Sequence, residues 1–271
     1  MALKKPAPKP KHRYNWKPDL PDQRDFLFSE RVSAPTTLPS TVDLRSQCSP
    51  VFDQGQIGSC TGNALAGAIE FLELKELKAK GPASTDPEVF TKGKFAHASR
   101  LFIYYNERLI EGTTGQDAGA QLRDGVKCLV QYGVCRESTW KYGSPDLLKK
   151  PSAKAYDEAK PHSISTYLRI QTLDEMKQCL ATGFPFAFGF TVYESFESQA
   201  VATSGVMPMP EPSERVLGGH AVLAVGYDDA SERLIVRNSW GAKWGQKGYF
   251  TMPYAYATAK KLAQDFWTIR K

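Results

Sequence analysis

No two cysteines of this chain are spaced C-x-x-C, and 271 residues contain only four histidines, His12, His97, His162 and His220. A structural zinc site draws its ligands from such pairs, so none is expected, and no motif calls for a metal or another cofactor. Long apolar runs are also missing. "FPFAFGF" and "AVLAVG" are far too short to cross a bilayer, so no membrane span is expected. Met1 opens onto "ALKKPAPKPKHRYNWK", which has no apolar core of a secretory signal, so the expected location is the cytoplasm or a non-classical export route. Outside the first residues there is no excess of either charge. Residues 1–17 hold six bases and no acid, which is the whole formal excess of +6. With no basic patch interleaved with aromatics elsewhere, nucleic acid is not an expected partner.

What is there fits a chain of one large domain or two lobes, 41% hydrophobic and 24% charged. The Pro/Lys-rich leader is expected to be a solvated extension. "PDLPDQRDFLFSERVSAPTT", residues 18–37, reads as an extended arm with enough aromatic surface to dock but not to form a core. From Thr61 to Lys80 the apolar residues Leu65, Ile69, Leu72 and Leu77 recur at helical spacing, with Ala64, Ala68 and Phe71 widening the stripe, and Gly81-Pro82 ends the pattern. "GPASTDPEVFTKGKFA" reads as a loop, and "SRLFIYYNERLIEG" and "AGAQLRDGVKCLVQYG" as two further helices. Past Pro151 the runs "FPFAFGFTV", "HAVLAVGYDD", "RLIVRNSW" and "GYFTM" are β-branched and aromatic between turn-formers, which predicts antiparallel strands. Helices first and strands later make an α+β chain with a site at the seam.

The five cysteines, Cys48, Cys60, Cys128, Cys135 and Cys179, are an odd number, compatible with five reduced thiols or with two disulfides and one thiol left over. Cys60 stands out. In "DQGQIGSCTGNA" it is crowded by glycines and opens the apolar helix, where free N–H groups and the dipole favour a thiolate. Gln54, six residues earlier, can present a side-chain N–H beside the backbone N–H of Cys60, two donors for an oxyanion. An activated thiol needs a base. His12 lies in the leader, His162 in a loop and His97 just before a helix, so each is expected to be solvated or capping. His220 follows Gly218-Gly219 at the head of an apolar strand. A hairpin through "YDDASER" would bring Asn238, at the end of "RLIVR", beside it to fix its tautomer.

Three segments, "QGQIGSC", "GGHAVLAVGYDD" and "NSWGAKWGQKGYF", together with "LPSTVDLRS" upstream, resemble the papain-like cysteine peptidases, on their bacterial branch, over about residues 38–271. The resemblance implies a two-lobed papain-like fold, with a helical lobe mainly at 55–150, an antiparallel β-barrel-like lobe mainly at 160–271, and the active site in the cleft between them. Residues 1–37 would then be a basic leader and a propeptide-like arm. It also implies Cys60 as nucleophile, His220 as general base and acid, Asn238 as its orienter and Gln54 as oxyanion donor. Trp240 would shield the His–Asn bond, Gly58 and a backbone group in "DAGA", taken as Gly119, would line the substrate cleft, and Ala221 would touch the side chain two residues before the cut. The substrate would be a peptide or protein, hydrolysed through a thioester on Cys60 by a monomer.

Departures qualify that reading. Ile57 and Thr61 stand where the family pattern has a cysteine and an aromatic residue, so the usual rim disulfide is absent. "DAGA" replaces "GCNGG", so specificity is not readable. The arm is too short for a helical propeptide, yet "WKPDLPDQRDFLF", with Trp16, Phe26 and Phe28, has the aromatics to mask the cleft. The alternatives are a catalytically silent papain-fold binding protein and a cysteine amidase or transglutaminase-like acyl transferase.

Overall fold

The computed structural model describes residues 12–33, 37–80 and 96–271. The loop expected over 81–96 and the leader up to residue 11 lie outside the described residues, Ala96 excepted. In chain order the elements are α1 (Phe28–Arg31), β1 (Thr41–Asp43), α2 (Cys60–Lys80), α3 (Arg100–Ile110), α4 (Leu122–Gln131), α5 (Ala153–Ala159), β2 (Thr166–Ile170), α6 (Leu173–Ala181), β3 (Phe186–Tyr193), α7 (Gln199–Ser204), β4 (Val216–Asp228), β5 (Arg233–Arg237), β6 (Tyr249–Pro253), α8 (Tyr254–Thr258) and β7 (Ala263–Arg270). The expected order of helices first and strands later is only half right. β1 comes early and joins the sheet, and α5 to α8 are interleaved with the later strands.

Helix α2 is buried on every side over its first fourteen residues, from Cys60 to Phe71 and beyond to Glu73. It packs against α3 and α4 on one flank and against β4 on the other. Small residues make that possible: a side chain at Gly62 would sit 2.6 Å from the Arg100 carbonyl oxygen. Helix starts elsewhere are set by local signals. Ser99 caps α3, its hydroxyl accepting from the Phe102 N–H at 3.1 Å, and Thr172 and Glu175 form a reciprocal capping box on α6.

The sheet is antiparallel in the order β2-β7-β3-β4-β5-β6, with β1 added on β4. It is open, which corrects the barrel-like expectation. Its end strands do not pair with each other, and each is covered by a short bridge instead: Leu27 of the arm against Arg169 on β2, and Val206 against Thr251 on β6. The register that matters is Phe190 opposite His220, Gly189 opposite Ala221, and Leu223 opposite Arg237. It places the head of β4 and the end of β5 side by side, as the hairpin argument expects. β2 and β7 escape sequence reading because they carry the polar residues Arg169, Asp265 and Thr268, which are half-buried or buried through distant partners.

The arm does more than dock. Phe28 is fully buried in the main core, and Trp16 is 6% exposed. Between them Asp19 is threaded into the body. Its carboxylate accepts from the Trp267 indole at 2.8 Å and the Arg123 N–H at 3.1 Å, while its own N–H donates to Asp265 at 2.7 Å. Asp25, further along, is held by Arg123 at 2.6 Å and by Arg169 at 2.8 Å. Burial raises the pKa values of Asp19 and Asp265, the latter to about 6 with the charge of Asp19 adding to the shift.

Candidate active site

Cys60 lies at the first turn of α2, at the seam between that helix and the sheet. The loop before it is tied to the loop after β5: the Gln54 N–H donates to the Ser239 carbonyl at 2.8 Å and the Gly241 N–H to Phe52 at 3.1 Å. This pairing brings the two motifs into one layer. The sulfur is fully buried. Burial pushes the thiol up to about 11, against the N–H groups of Ala221, Asn15 and Thr61, which favour the anion. Desolvation in the closed chain thus opposes the thiolate that the helix terminus favours.

His220 and Asn238 are buried as well, and imidazole Nε2 meets the Asn238 Oδ1 at 2.9 Å. With Nε2–H donating to that amide oxygen, Nδ1 carries the lone pair. It is buried and makes no hydrogen bond among the described residues. Next in sequence, the Ala221 N–H is beside the Cys60 sulfur. Burial drives the imidazole down to about 4, with Asn238 opposing that shift and a nearby His12 adding to it. Trp240 stacks on the ring at 5.1 Å and Phe190 meets it edge-on at 5.7 Å.

Gln54 is 1% exposed and fixed at both ends of its amide: Nε2 donates to the Ile57 carbonyl at 3.0 Å and Oε1 accepts from the Ser239 hydroxyl at 2.6 Å. One amide hydrogen remains. Ser239 was missed in the sequence, although it sits inside "NSWG". Tyr142 was also missed. Its hydroxyl donates to the Gln54 carbonyl at 2.9 Å and is 2.6 Å from Ser59.

Of the remaining expected residues, Gly58, Gly119 and Trp240 face the arm, while Ala221 pairs with Gly189 beside Cys60. Residues 12–17 run through the seam, parallel to Gly219 on one side and Ala120 on the other. The Trp16 N–H donates to the Gly219 carbonyl at 2.9 Å, and the Lys17 N–H to Ala120 at 3.1 Å. The approach is so close that a Cβ on Gly119, which has φ +72°, would lie 1.7 Å from the Asn15 carbonyl oxygen. Trp16 fills a pocket floored by Gly189, where a Cβ would be 1.9 Å from the indole. His12 stacks on Trp240 at 4.0 Å and Tyr14 donates to Glu197 at 2.5 Å. Of the three arm aromatics expected to mask the site, only Trp16 is there. Phe28 belongs to the core, and Phe26 is 47% exposed.

The other histidines also differ from expectation. His162 is buried with Nδ1 3.3 Å from Glu73, and His97 is the same distance from Glu70, so neither is merely solvated. His12 is in the seam, because Trp240 offers it a flat apolar face. All five cysteines are free. Among the described residues no three His, Cys, Asp or Glu side chains cluster as a metal site, and no helix is long and apolar enough to cross a membrane.

An α+β fold with a cysteine, a histidine and an asparagine converging at the seam of a helical layer and an antiparallel sheet defines a thiol hydrolase architecture. Comparison with known proteins narrows it. The model of the papain family cysteine proteases matches residues 105–267, which contain His220 and Asn238 but begin after Cys60. An uncharacterized peptidase C1-like protein of Acanthamoeba polyphaga mimivirus is 41% identical over 276 residues, covering 93% of this chain and 84% of that protein. The cathepsin B-like CP3 of Giardia intestinalis is 46% identical over 250 residues, 83% of this chain and 74% of that one. Among solved structures, xylellain, a cysteine protease from Xylella fastidiosa, superimposes with a TM-score of 0.84 at 40% identity, covering 100% of this chain and 99% of that chain. The chain belongs to the papain family of cysteine proteases, and is a hydrolase of peptide or protein substrates.

Proposed function

We propose that this cysteine endopeptidase works through Cys60, His220, Asn238 and Gln54, and that residues 12–17 hold it latent. The observation that carries the reading is the seam itself. Asn238 fixes Nε2 of His220 at 2.9 Å, which leaves Nδ1 buried with its lone pair unused, on the strand whose next residue, Ala221, sets its N–H beside the Cys60 sulfur, and the arm fills the space a substrate would need.

With the arm displaced, water returns and both desolvation penalties fall. His220 Nδ1 then takes the Cys60 proton, and the sulfur attacks the scissile carbonyl. The oxyanion receives the remaining Gln54 amide hydrogen and the Cys60 N–H, which at the first helical position has no acceptor inside the helix. The imidazolium protonates the leaving amine. His220 next activates a water, which releases the acid and restores the thiol. Asn238 keeps the ring oriented throughout, and Trp240 shields their hydrogen bond from water. Every group in this scheme comes from one chain, so a monomer is sufficient for the chemistry.

In the closed form a thiol near 11 and an imidazole near 4 keep the proton on sulfur. The Asn15 N–H of the arm lies beside the sulfur. The test is intact-mass analysis after exposure to an epoxysuccinyl peptide, on the full chain, on Trp16→Ala and on Trp16→Ala with Cys60→Ser. One adduct on Trp16→Ala, absent from the Cys60→Ser control and slow on the full chain, is expected. An equal adduct on the control would remove Cys60 from its role.

A further inference from the structure

The "DAGA" segment has an acid at its head that the scheme above does not use. Asp117 sits on the wall of the seam, its side chain 10% exposed. Oδ1 accepts the Tyr104 hydroxyl at 2.6 Å, and both oxygens face the Gly58 N–H, at 3.2 and 3.0 Å. Gly58 is two residues before Cys60, so this carboxylate is built into the turn that presents the sulfur. Oδ2 keeps a lone pair directed into the seam, where the Arg13 guanidinium takes it at 2.6 Å.

The arm also reveals where a side chain goes from the residue that sits on the sulfur. Asn15 lies there, and its amide reaches over Gly58, close enough that a Cβ on Gly58 would be 2.2 Å from Asn15 Nδ2. That nitrogen donates to the Asp117 carbonyl at 3.2 Å. The short Asn15 side chain thus reaches the Asp117 backbone, and the Arg13 cation, two residues earlier in the arm, reaches its carboxylate. The same wall continues in Glu111, 9% exposed, which holds Lys17 of the arm at 2.9 Å. Within the arm, each cation in contact with this wall meets a carboxylate.

We propose that Asp117 selects substrates with arginine or lysine at the residue whose carbonyl Cys60 attacks, and that Arg13 occupies that cation site while the arm is closed. The inference rests on the peptidase reading above. A partly buried carboxylate that already accepts two neutral donors is preorganised for a third, charged one, and it is left poorly satisfied when a neutral side chain arrives.

The test uses the full chain carrying Trp16→Ala and two fluorogenic peptides that differ only at the residue before the cut, arginine in one and its uncharged isostere citrulline in the other. The expected ratio of kcat/KM, arginine over citrulline, is about tenfold or more, given a charged and partly buried pair. It should collapse toward one in Trp16→Ala with Asp117→Asn, mainly through the arginine peptide. Because the ratio compares two substrates on one protein, a loss of folded enzyme cancels. A ratio near one with Asp117 intact, or one that survives Asp117→Asn, overturns the proposal and leaves the peptidase reading standing. Hydrolysis of neither peptide, with no epoxysuccinyl adduct on Cys60, brings down the peptidase reading and this inference with it.

Discussion

Replacing Trp16 by alanine should convert the latent thiol into a reactive one. The indole is 6% exposed and wedged over Gly189, so the cavity left behind costs the closed arm about 3–5 kcal/mol, a factor of roughly 100 or more in the ratio of open to closed forms. Opening returns water to Cys60. A thiol brought from about 11 toward the solvated value of about 8.5 gains roughly 300-fold in thiolate at pH 7. The lower basicity of that thiolate takes back roughly tenfold in intrinsic nucleophilicity, which leaves about 30-fold from ionisation alone, before any gain in access. The assay is the second-order rate of iodoacetamide alkylation at Cys60, followed by peptide mass so that the other four cysteines are separated. In the full chain the rate should climb with pH and level off near 11. In Trp16→Ala it should be at least about 30-fold faster at pH 7 and level off lower. Equal rates and equal pH profiles in the two proteins, with Trp16→Ala shown to be folded, would refute the claim that burial by the arm suppresses the thiol.

Arg123 should prove to be the anchor of that arm. Arg123→Met strips the guanidinium from Asp25 and Leu20, at a cost of up to about 3–5 kcal/mol for a buried partner, and both a lower Tm and faster Cys60 alkylation are expected. A lower Tm with unchanged alkylation would mean the arm is held by other contacts. Glu107, fully buried behind the nucleophile and bonded by the Thr61 hydroxyl at 2.6 Å, is raised by burial from its ordinary 4.5 to about 8. As pH rises between those values the unfolded chain gives up this proton and the folded one keeps it, so stability falls by up to about 1.4 kcal/mol per pH unit. Glu107→Gln keeps the acceptor for Thr61 and should therefore gain in Tm over the parent from pH 5 to pH 8. A difference that does not change with pH would show that Glu107 is already ionised in the fold.

The elements legible in the sequence are those whose signal is local. Leu65, Ile69 and Leu72 mark α2 by spacing, and "FPFAFGFTV" and "RLIVR" are apolar enough to be strands in any context. The residues gathered at the seam were legible for a related reason. A nucleophile, a base and an amide are rare types set in glycine-rich turns, and a short hairpin is enough to bring His220 and Asn238 together. β7 was not legible, because its Asp265 and Thr268 read as polar surface until partners far away in the chain bury them. His162 read as a loop residue for the same reason: its partner, Glu73, is on another helix.

By itself, then, the sequence determined an α+β chain, the buried helix behind Cys60 and the chemical types available at its head. Only the tertiary structure decided what state that chemistry is in. The path of residues 12–17 through the seam, the seating of Asp19 between Trp267 and Arg123, and the pairing of Arg13 with Asp117 join groups roughly a hundred or more positions apart. No spacing rule encodes such contacts, because each depends on the shape that the rest of the fold presents. Desolvation depends on the same packing, so whether Cys60 rests as thiol or thiolate could be read only once the arm was seen above it.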